Sequence, residues 1–325
     1  MDMMTMAQHF LLSAAARTLS LKEIFKAGEE KAYETFKTIR WASTEGNPVC
    51  PKCGCLDHYA ITTRRKFKCA ACGSQYSVTS GTIFASRKLP FTDLLGAISI
   101  FVNAVKGLSA LQLSRDLDVQ YKTAWVLAHK LREALSLEVQ DNTAMSGDVE
   151  VDGAYFGGHI RPHNIADKRV DRRRAKHQTG LRRVVVAFRE RLGRTRPFVT
   201  LAEAEGVELA KRHVDRMAIM HADEATHWDA LHAGWNVERV NHSQTYSDHG
   251  KHTNWVESYF SRLRRMVTGQ HHFVSPQYLY QYANHAAWLE DNRRNANGEN
   301  AAEIIGLAMA YPVSRVWKGY WQRAN

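Results

Sequence analysis

The sequence predicts a chain of the α/β class, and three observations carry that prediction. Five cysteines crowd between Cys50 and Cys72, among glycines and short β-like runs. Apolar residues recur at helical spacing on both sides of that module, over residues 8–45 and 91–137. Beyond residue 148, runs rich in Val, Ile and Phe alternate with helical stretches. The 325 residues are enough for two or three domains, and a hydrophobic content of 44% argues against disorder. The 44 Lys and Arg against 33 Asp and Glu leave a net charge of +11. A basic excess of that size points to a polyanionic partner, nucleic acid ahead of a membrane surface.

The N-terminal segment, residues 1–45, is a helical lead with Ile24, Phe25, Tyr33, Phe36 and Ile39 at helical intervals. Its apolar stretch at residues 10–16 is short, follows no Lys or Arg and is interrupted by Arg17, so it reads as a helix start and not a signal peptide. No run approaches the ~18 apolar residues of a membrane span. The expectation is a cytoplasmic protein with no membrane partner.

Residues 46–85 hold Cys50-Pro-Lys-Cys53 and Cys69-Ala-Ala-Cys72, fifteen residues apart. Two C-x2-C turns present four thiolates to one tetrahedral Zn²⁺, and Gly54 and Gly73 follow each pair as knuckle turns require. A module this small buries little apolar surface, so one structural ion supplies much of its folding energy. Cys55 is the spare. Lys52, Arg64, Arg65, Lys66 and Lys68 either touch DNA phosphates or lie on a ribbon that only joins two domains.

Residues 90–137 follow as a helical region. Ser109 with Gln112 has the form of a capping box, opening a short helix to about Asp116. After a turn at Asp118-Val119 a longer helix starts at Gln120, with Ala124, Leu127, Ala128, Leu131 and Leu135 on one face. Gln120, Tyr121, Lys122 and Thr123 crowd its N-terminal end, which is helix-turn-helix anatomy and makes them candidate DNA contacts; an ordinary αα-hairpin is the alternative.

Strands are expected at 149–152, 184–188 and 197–201, the last two joined by a hairpin about Gly193, and at 218–221. Helices are expected at 205–216, 252–267 and 278–292. Residues 158–183 lack periodicity and carry Arg169, Arg172, Arg173, Arg174, Arg182 and Arg183, which read as a DNA-tracking loop or a solvated charge run. Asp152 ends one strand, Asp223 follows another and Glu257 lies on a helix. Carboxylates so placed suit two Mg²⁺ (or Mn²⁺) ions that activate one oxygen and stabilise another at phosphorus.

The words around these acids sharpen the reading. Ser-Gly-Asp-Val-Glu-Val-Asp152-Gly-Ala-Tyr-Phe-Gly-Gly, His221-Ala-Asp223-Glu and His252-Thr-Asn-Trp-Val-Glu257-Ser-Tyr-Phe-Ser-Arg-Leu-Arg264-Arg occur in that order. They resemble the three motifs of bacterial insertion-sequence DDE-type transposases, in the zinc-ribbon group with an ISXO-like catalytic domain. The cysteine module with Thr82-Ile-Phe84, Gly107-Leu-Ser-Ala-Leu-Gln-Leu and Tyr121-Lys-Thr-Ala-Trp125 resembles the same group.

The resemblance implies an RNase H-like domain, a mixed sheet flanked by helices, over residues 145–295. It implies catalytic metal chemistry at Asp152, Asp223 and Glu257: a cut at the element end, then attack of the freed 3′-hydroxyl on target DNA. Asn254 and Arg264 share the Glu257 face and would support metal or phosphate. The implied partner is double-stranded DNA, both terminal inverted repeats and target, bound by a homodimer or larger assembly at the nucleoid. Gly153 and Ala154 depart from the more polar residues usual in relatives. Residues 296–325 lie outside the resemblance; Trp317, Tyr320 and Trp321 with Arg315, Lys318 and Arg323 suggest a packed last helix or a DNA-contacting tail.

Three alternatives accompany this reading. One is a non-catalytic zinc-ribbon and helix-turn-helix regulator, and a second is a Mg-dependent nuclease without joining activity. The third is a His-based nuclease at His242, His249 and His252, which the absence of an H-x3-H or H-E-x-x-H pattern among those histidines disfavours; His252 adjoins the third motif and is kept as a supporting residue.

Overall fold

The computed structural model of the chain describes residues 10–158, 162–171, 174, 177, 179–240 and 251–323. It divides into two compact units, Met1–Glu138 with Asn292–Asn325, and Val139–Asp291.

In the first unit the helical lead is α1 (Leu21–Arg40), preceded by two 3-10 turns at Phe10–Leu12 and Ala14–Ala16. Ser20 caps α1 by accepting from the Glu23 amide at 3.2 Å. Its buried face sets Phe36 5.2 Å from the Phe91 ring of α2 (Phe91–Asn103). Helix α2 is apolar on most of its circumference and packs against both α1 and a C-terminal helix. Strands β1 (His58–Ile61), β2 (Lys66–Cys69) and β3 (Gln75–Tyr76) form an antiparallel sheet in chain order. Trp41, just past α1, meets the Phe67 ring of β2 edge-on at 5.8 Å.

Helices α3 (Ala110–Asp116) and α4 (Tyr121–Val139) form the expected pair. The Ser109 hydroxyl accepts from the Gln112 amide at 3.1 Å, while the Gln112 side chain turns to Asp116 instead of closing a capping box. Past the second unit, α8 (Asn297–Ala310) returns to the first, and its Asn297 side-chain oxygen accepts from the amides of Thr18 and Leu19 at 2.9 Å each. Trp317 is buried and stacks on His129 of α4 at 4.3 Å. This segment is packed structure over Trp317.

The second unit is built on β4 (Asp148–Phe156), β5 (Arg183–Glu190), β6 (Thr195–Thr200), β7 (Ile219–Asp223) and β8 (Asn236–Val240). The sheet order is β6-β5-β4-β7-β8. Strand β5 runs antiparallel to β4 and β6, while β7 is parallel to β4 and β8 to β7. A first hairpin pair followed by parallel strands added on the other side of the first strand is the RNase H-like arrangement. The run from Val184 to Phe188 is buried on both faces, as a central strand's apolar continuity requires. Pro197 is tolerated because β6 is an edge.

Alternation sorts the two faces. Val149, Val151, Val184, Val186, Phe188, Met220 and Ala222 pack with residues of α5 (Glu205–His213) and a 3-10 segment, Thr226–Ala233. The even positions of β4, Asp148, Glu150 and Asp152, face the opposite way. There lie α6 (Asn254–Arg265), which continues into a π-helical turn at Met266–His271, and α7 (Pro276–Asp291). Strand β8 and helix α8 were not expected. Among the described residues no helix is long and apolar enough to cross a membrane.

Gly206 opens α5 directly against the buried Trp228, where an added Cβ would lie 2.7 Å from the indole Cζ3. A rigid ring gives no room, so Gly206→Ala is expected to destabilise the protein by about 1–3 kcal/mol, read as a lowered urea midpoint at unchanged slope.

Candidate active site and metal centre

Four cysteines meet in the first unit. Cys50 Sγ lies 3.7 Å from Cys72 Sγ, and Cys53 Sγ lies 3.5 Å from Cys69 Sγ. All four sulfurs fall within 4.8 Å of one another. Gly54 and Gly73, at φ +74 and +69, let each knuckle turn back so that their amides bond Cys50 and Cys69 carbonyls. Hydrogen bonds from Ser74, side chain first and then backbone, hold the Cys72 thiol down at about 6, toward the thiolate a metal requires. A soft tetrahedral donor set of this kind fits Zn²⁺. Cys55 points elsewhere, its Sγ toward the Asp57 carbonyl. Arg65, a candidate phosphate contact, is instead paired with Glu29 and Glu30 of α1 at 3.0 and 2.8 Å.

The acids of the second unit are arranged by the sheet. Register pairs Asp148 with Ile219 and Glu150 with His221. Continued by two residues, it sets Asp152 level with Asp223 on neighbouring parallel strands. Glu257 stands half-buried in the first turns of α6, against the β4 face that Asp152 shares, and its Oε1 accepts from the Thr253 hydroxyl at 2.9 Å. Among the described residues the four cysteines are the one group with three or more ligand atoms within 4.8 Å, so Asp152, Asp223 and Glu257 stand wider apart than that.

Burial, reinforced by Asp223 and Glu203, pushes the Asp152 carboxyl up to about 7, against the opposing pull of the Gly153 amide and of Arg264. Arg264, exposed on α6, therefore brings its charge to the same acid. Asn254 is exposed at the start of α6. His252 Nδ1 lies 3.0 Å from Glu150 Oε1, so the structure places it behind the acids.

Two carboxylates escaped the sequence reading. Glu203 precedes α5 and packs on Gly153, whose missing Cβ would fall 2.6 Å from Glu203 Cγ. Burial and the nearby Asp223 hold its carboxyl above the ordinary range, against a lowering pull from His227. The departure at Gly153 thus makes room for an acid; nothing short of the fold reveals it. Glu150 is wholly buried, and its signal was present as acids at 148, 150 and 152, one face of a strand.

Of the candidate DNA contacts, Gln120, Tyr121 and Lys122 are exposed at the start of α4 and Thr123 is half-buried. The Lys122 ammonium stands 5.3 Å over the Trp321 ring. Arg174 is exposed and 3.6 Å from Asp171, while Arg172 and Arg173 lie outside the described residues, as do His242 and His249. Arg182 stacks over Tyr155 at 3.8 Å.

A five-stranded mixed sheet with acids level on two central strands and a third on the crossing helix defines the RNase H-like class of domains. Residues 144–291 match the ISXO2-like transposase domain, and residues 27–75 match the transposase zinc-ribbon domain. The chain belongs to the insertion-sequence DDE-type transposases that carry a zinc ribbon. No curated protein matches it. Among solved structures, the crystal structure of the Mos1 strand transfer complex is similar at 9% identity and a TM-score of 0.22, over 65% of this chain and 78% of that chain.

Two outcomes are expected. Cys69→Ser should lower bound zinc from one ion per chain to near zero by elemental analysis, with loss of the ribbon's protease resistance. The second follows from Asp152, whose folded value of about 7 stands above its ordinary 3.8. The stability it confers is complete below pH ~4 and is lost as pH rises through ~7. Metal-free protein should therefore melt lower at pH 8 than at pH 5, Asp152→Asn should reduce that slope, and Mg²⁺ should stabilise more at the higher pH.

Proposed function

We propose that this transposase cuts DNA at the ends of its own element and joins the freed 3′-hydroxyl to target DNA, with Asp152, Asp223 and Glu257 as its catalytic carboxylates. The observation that supports this most is the β4–β7 register, which, continued by two residues, sets Asp152 level with Asp223 on the face packed against the Glu257 helix.

The residues fit a hard divalent cation. The donors gathered here are carboxylate oxygens, and the space left by Gly153 admits a further one from Glu203. Asp152, Asp223 and Glu257 would hold Mg²⁺ or Mn²⁺, two ions in the full site. When bound, such ions activate the attacking oxygen and stabilise the leaving oxygen at phosphorus. The protein's own part is positional. Burial pushes the Asp152 carboxyl up to about 7, so it would shed its remaining proton on holding a cation. Arg264 offers a planar fork to a phosphate oxygen, and Asn254 donates from the first turn of α6.

Recognition of the terminal inverted repeats belongs to the first unit. Gln120, Tyr121, Lys122 and Thr123 start α4, the end of a second helix that enters a major groove in helix-turn-helix proteins. Arg172, Arg173 and Arg174, between β4 and β5 in the sequence, add phosphate contacts. Each such contact should steepen the fall of log affinity with log salt by about 0.9. Two element ends call for a homodimer or larger assembly, acting on DNA in the bacterial cytoplasm.

The test incubates the purified protein and Mg²⁺ with DNA carrying its own gene and flanks, and maps new 3′ ends and joints. Paired cuts at inverted repeats with joined products are expected, and Asp152→Ala should reduce both by about a thousandfold or more, the scale of several kcal/mol of transition-state stabilisation. Cuts without joints would make the chain a nuclease. Binding without cuts, equal in both proteins, would make it a zinc-ribbon regulator.

A further inference from the structure

Glu150 is a fully buried carboxylate in the middle of the sheet. A buried charge is tolerated when its oxygens are satisfied, and here three hydrogen bonds reach it. Arg191 Nε donates to Oε1 at 3.0 Å, and His252 Nδ1 stands 3.0 Å from the same oxygen. The other oxygen accepts from the backbone amides of Trp255 and Val256 at 2.8 and 3.0 Å. Those amides belong to the first turn of α6, where a helix has no partners of its own.

The usual local cap is missing. Thr253 stands at the N-cap of α6 but makes no capping bond with its side chain; the hydroxyl donates to Glu257 instead. A strand residue therefore supplies the cap, and its negative charge suits the positive end of the helix. Arg191 also donates to the His252 carbonyl at 2.9 Å, tying the segment that leads into the helix to the same carboxylate. The body of α6 is held separately, by Tyr259 to the Ala283 carbonyl and by Ser258 and Arg262 to Glu290 of α7.

This division of labour gives Glu150 a specific place. It lies two residues before Asp152 on the same strand face, and it grips the turn from which Asn254 and Glu257 project. We propose that Glu150 is a positioning residue for transposition, setting where Glu257 and Asn254 stand relative to Asp152 by capping α6 from β4. The inference rests on the reading of Asp152 and Glu257 as metal-holding carboxylates. Glu150 touches neither metal nor DNA in this scheme, and it acts through the helix.

The test compares wild type with Glu150→Gln, which keeps the shape but replaces one acceptor oxygen with an amide that faces Arg191 or the helix amides. Amide hydrogen exchange at Trp255 and Val256 reads the cap directly, without any metal. Their exchange should quicken roughly tenfold, the scale of one hydrogen bond to a charged group. Exchange in the body of α6 and the far-ultraviolet spectrum should stay as in wild type. In DNA cleavage the half-saturating Mg²⁺ concentration should rise about tenfold, with affinity for terminal-repeat DNA unchanged, a split that general destabilisation does not produce. Unchanged amides with an unchanged Mg²⁺ requirement would overturn the proposal. So would uniformly faster exchange across the whole sheet, which would make Glu150 a general structural residue. If Glu150→Gln does not fold, Glu150→Asp, which keeps the charge and shortens its reach, is read by the same two measurements. Cleavage by Asp152→Ala at the wild-type rate would instead defeat the underlying site reading, whatever the amides show.

Discussion

Strand β4 answers to two different environments at once, and the second unit is organised around that requirement. Its odd residues Val149 and Val151 are fully buried against α5 and Trp228. Its even residues Asp148, Glu150 and Asp152 are acids directed at α6. A slip of one residue would drive three carboxylates into the apolar core. Neighbours on both sides forbid it: β5 pairs along the whole strand from Val149 to Phe156, and β7 pairs over Asp148 to Glu150. The sheet is thus both the core of the unit and the ruler against which its acids are spaced.

Charge is managed along that strand in graded steps. Asp148 is half-exposed and accepts from His221 at 2.7 Å. Glu150 is enclosed and neutralised by Arg191 and the helix amides. Asp152 has fewer protein donors, the Gly153 amide at 2.7 Å and the more distant charge of Arg264. Opposite charge therefore falls off toward Asp152, and the acid left least satisfied is the one facing Asp223 and Glu203. An external cation is best received where the protein's own cations are withheld. The ribbon uses the complementary tactic, with soft thiols in place of oxygens, so the two donor sets suit different kinds of ion.

Much of this could be read in the sequence, for identifiable reasons. The paired cysteines need only local turns to converge, so their spacing was enough. The run from Val184 to Phe188 and the hairpin about Gly193 are also local signals, and both correspond to the β5–β6 pair. Other features depended on partners far along the chain. Strand β8 is five residues long and carries Glu238 and Arg239, a pattern with too little apolar alternation to stand out. Helix α8 is secured by Asn297 bonding to Thr18 and Leu19, some 280 residues away. Arg65 looked like a phosphate ligand until Glu29 and Glu30 were found beside it. Glu203 was one loop acid among many until the fold laid it on Gly153.

The clasp between Asn297 and the Thr18–Leu19 backbone bears on how the molecule is made. Residues from both chain ends complete one unit, and the other is spliced between them. During synthesis α1 and α2 emerge before the second unit, and the helix that packs on them, α8, emerges after it. The spliced unit contains all of its own strands and helices, so it is free to close while the earlier one is still waiting. Closure of the first unit therefore waits on residues that follow the whole of the second.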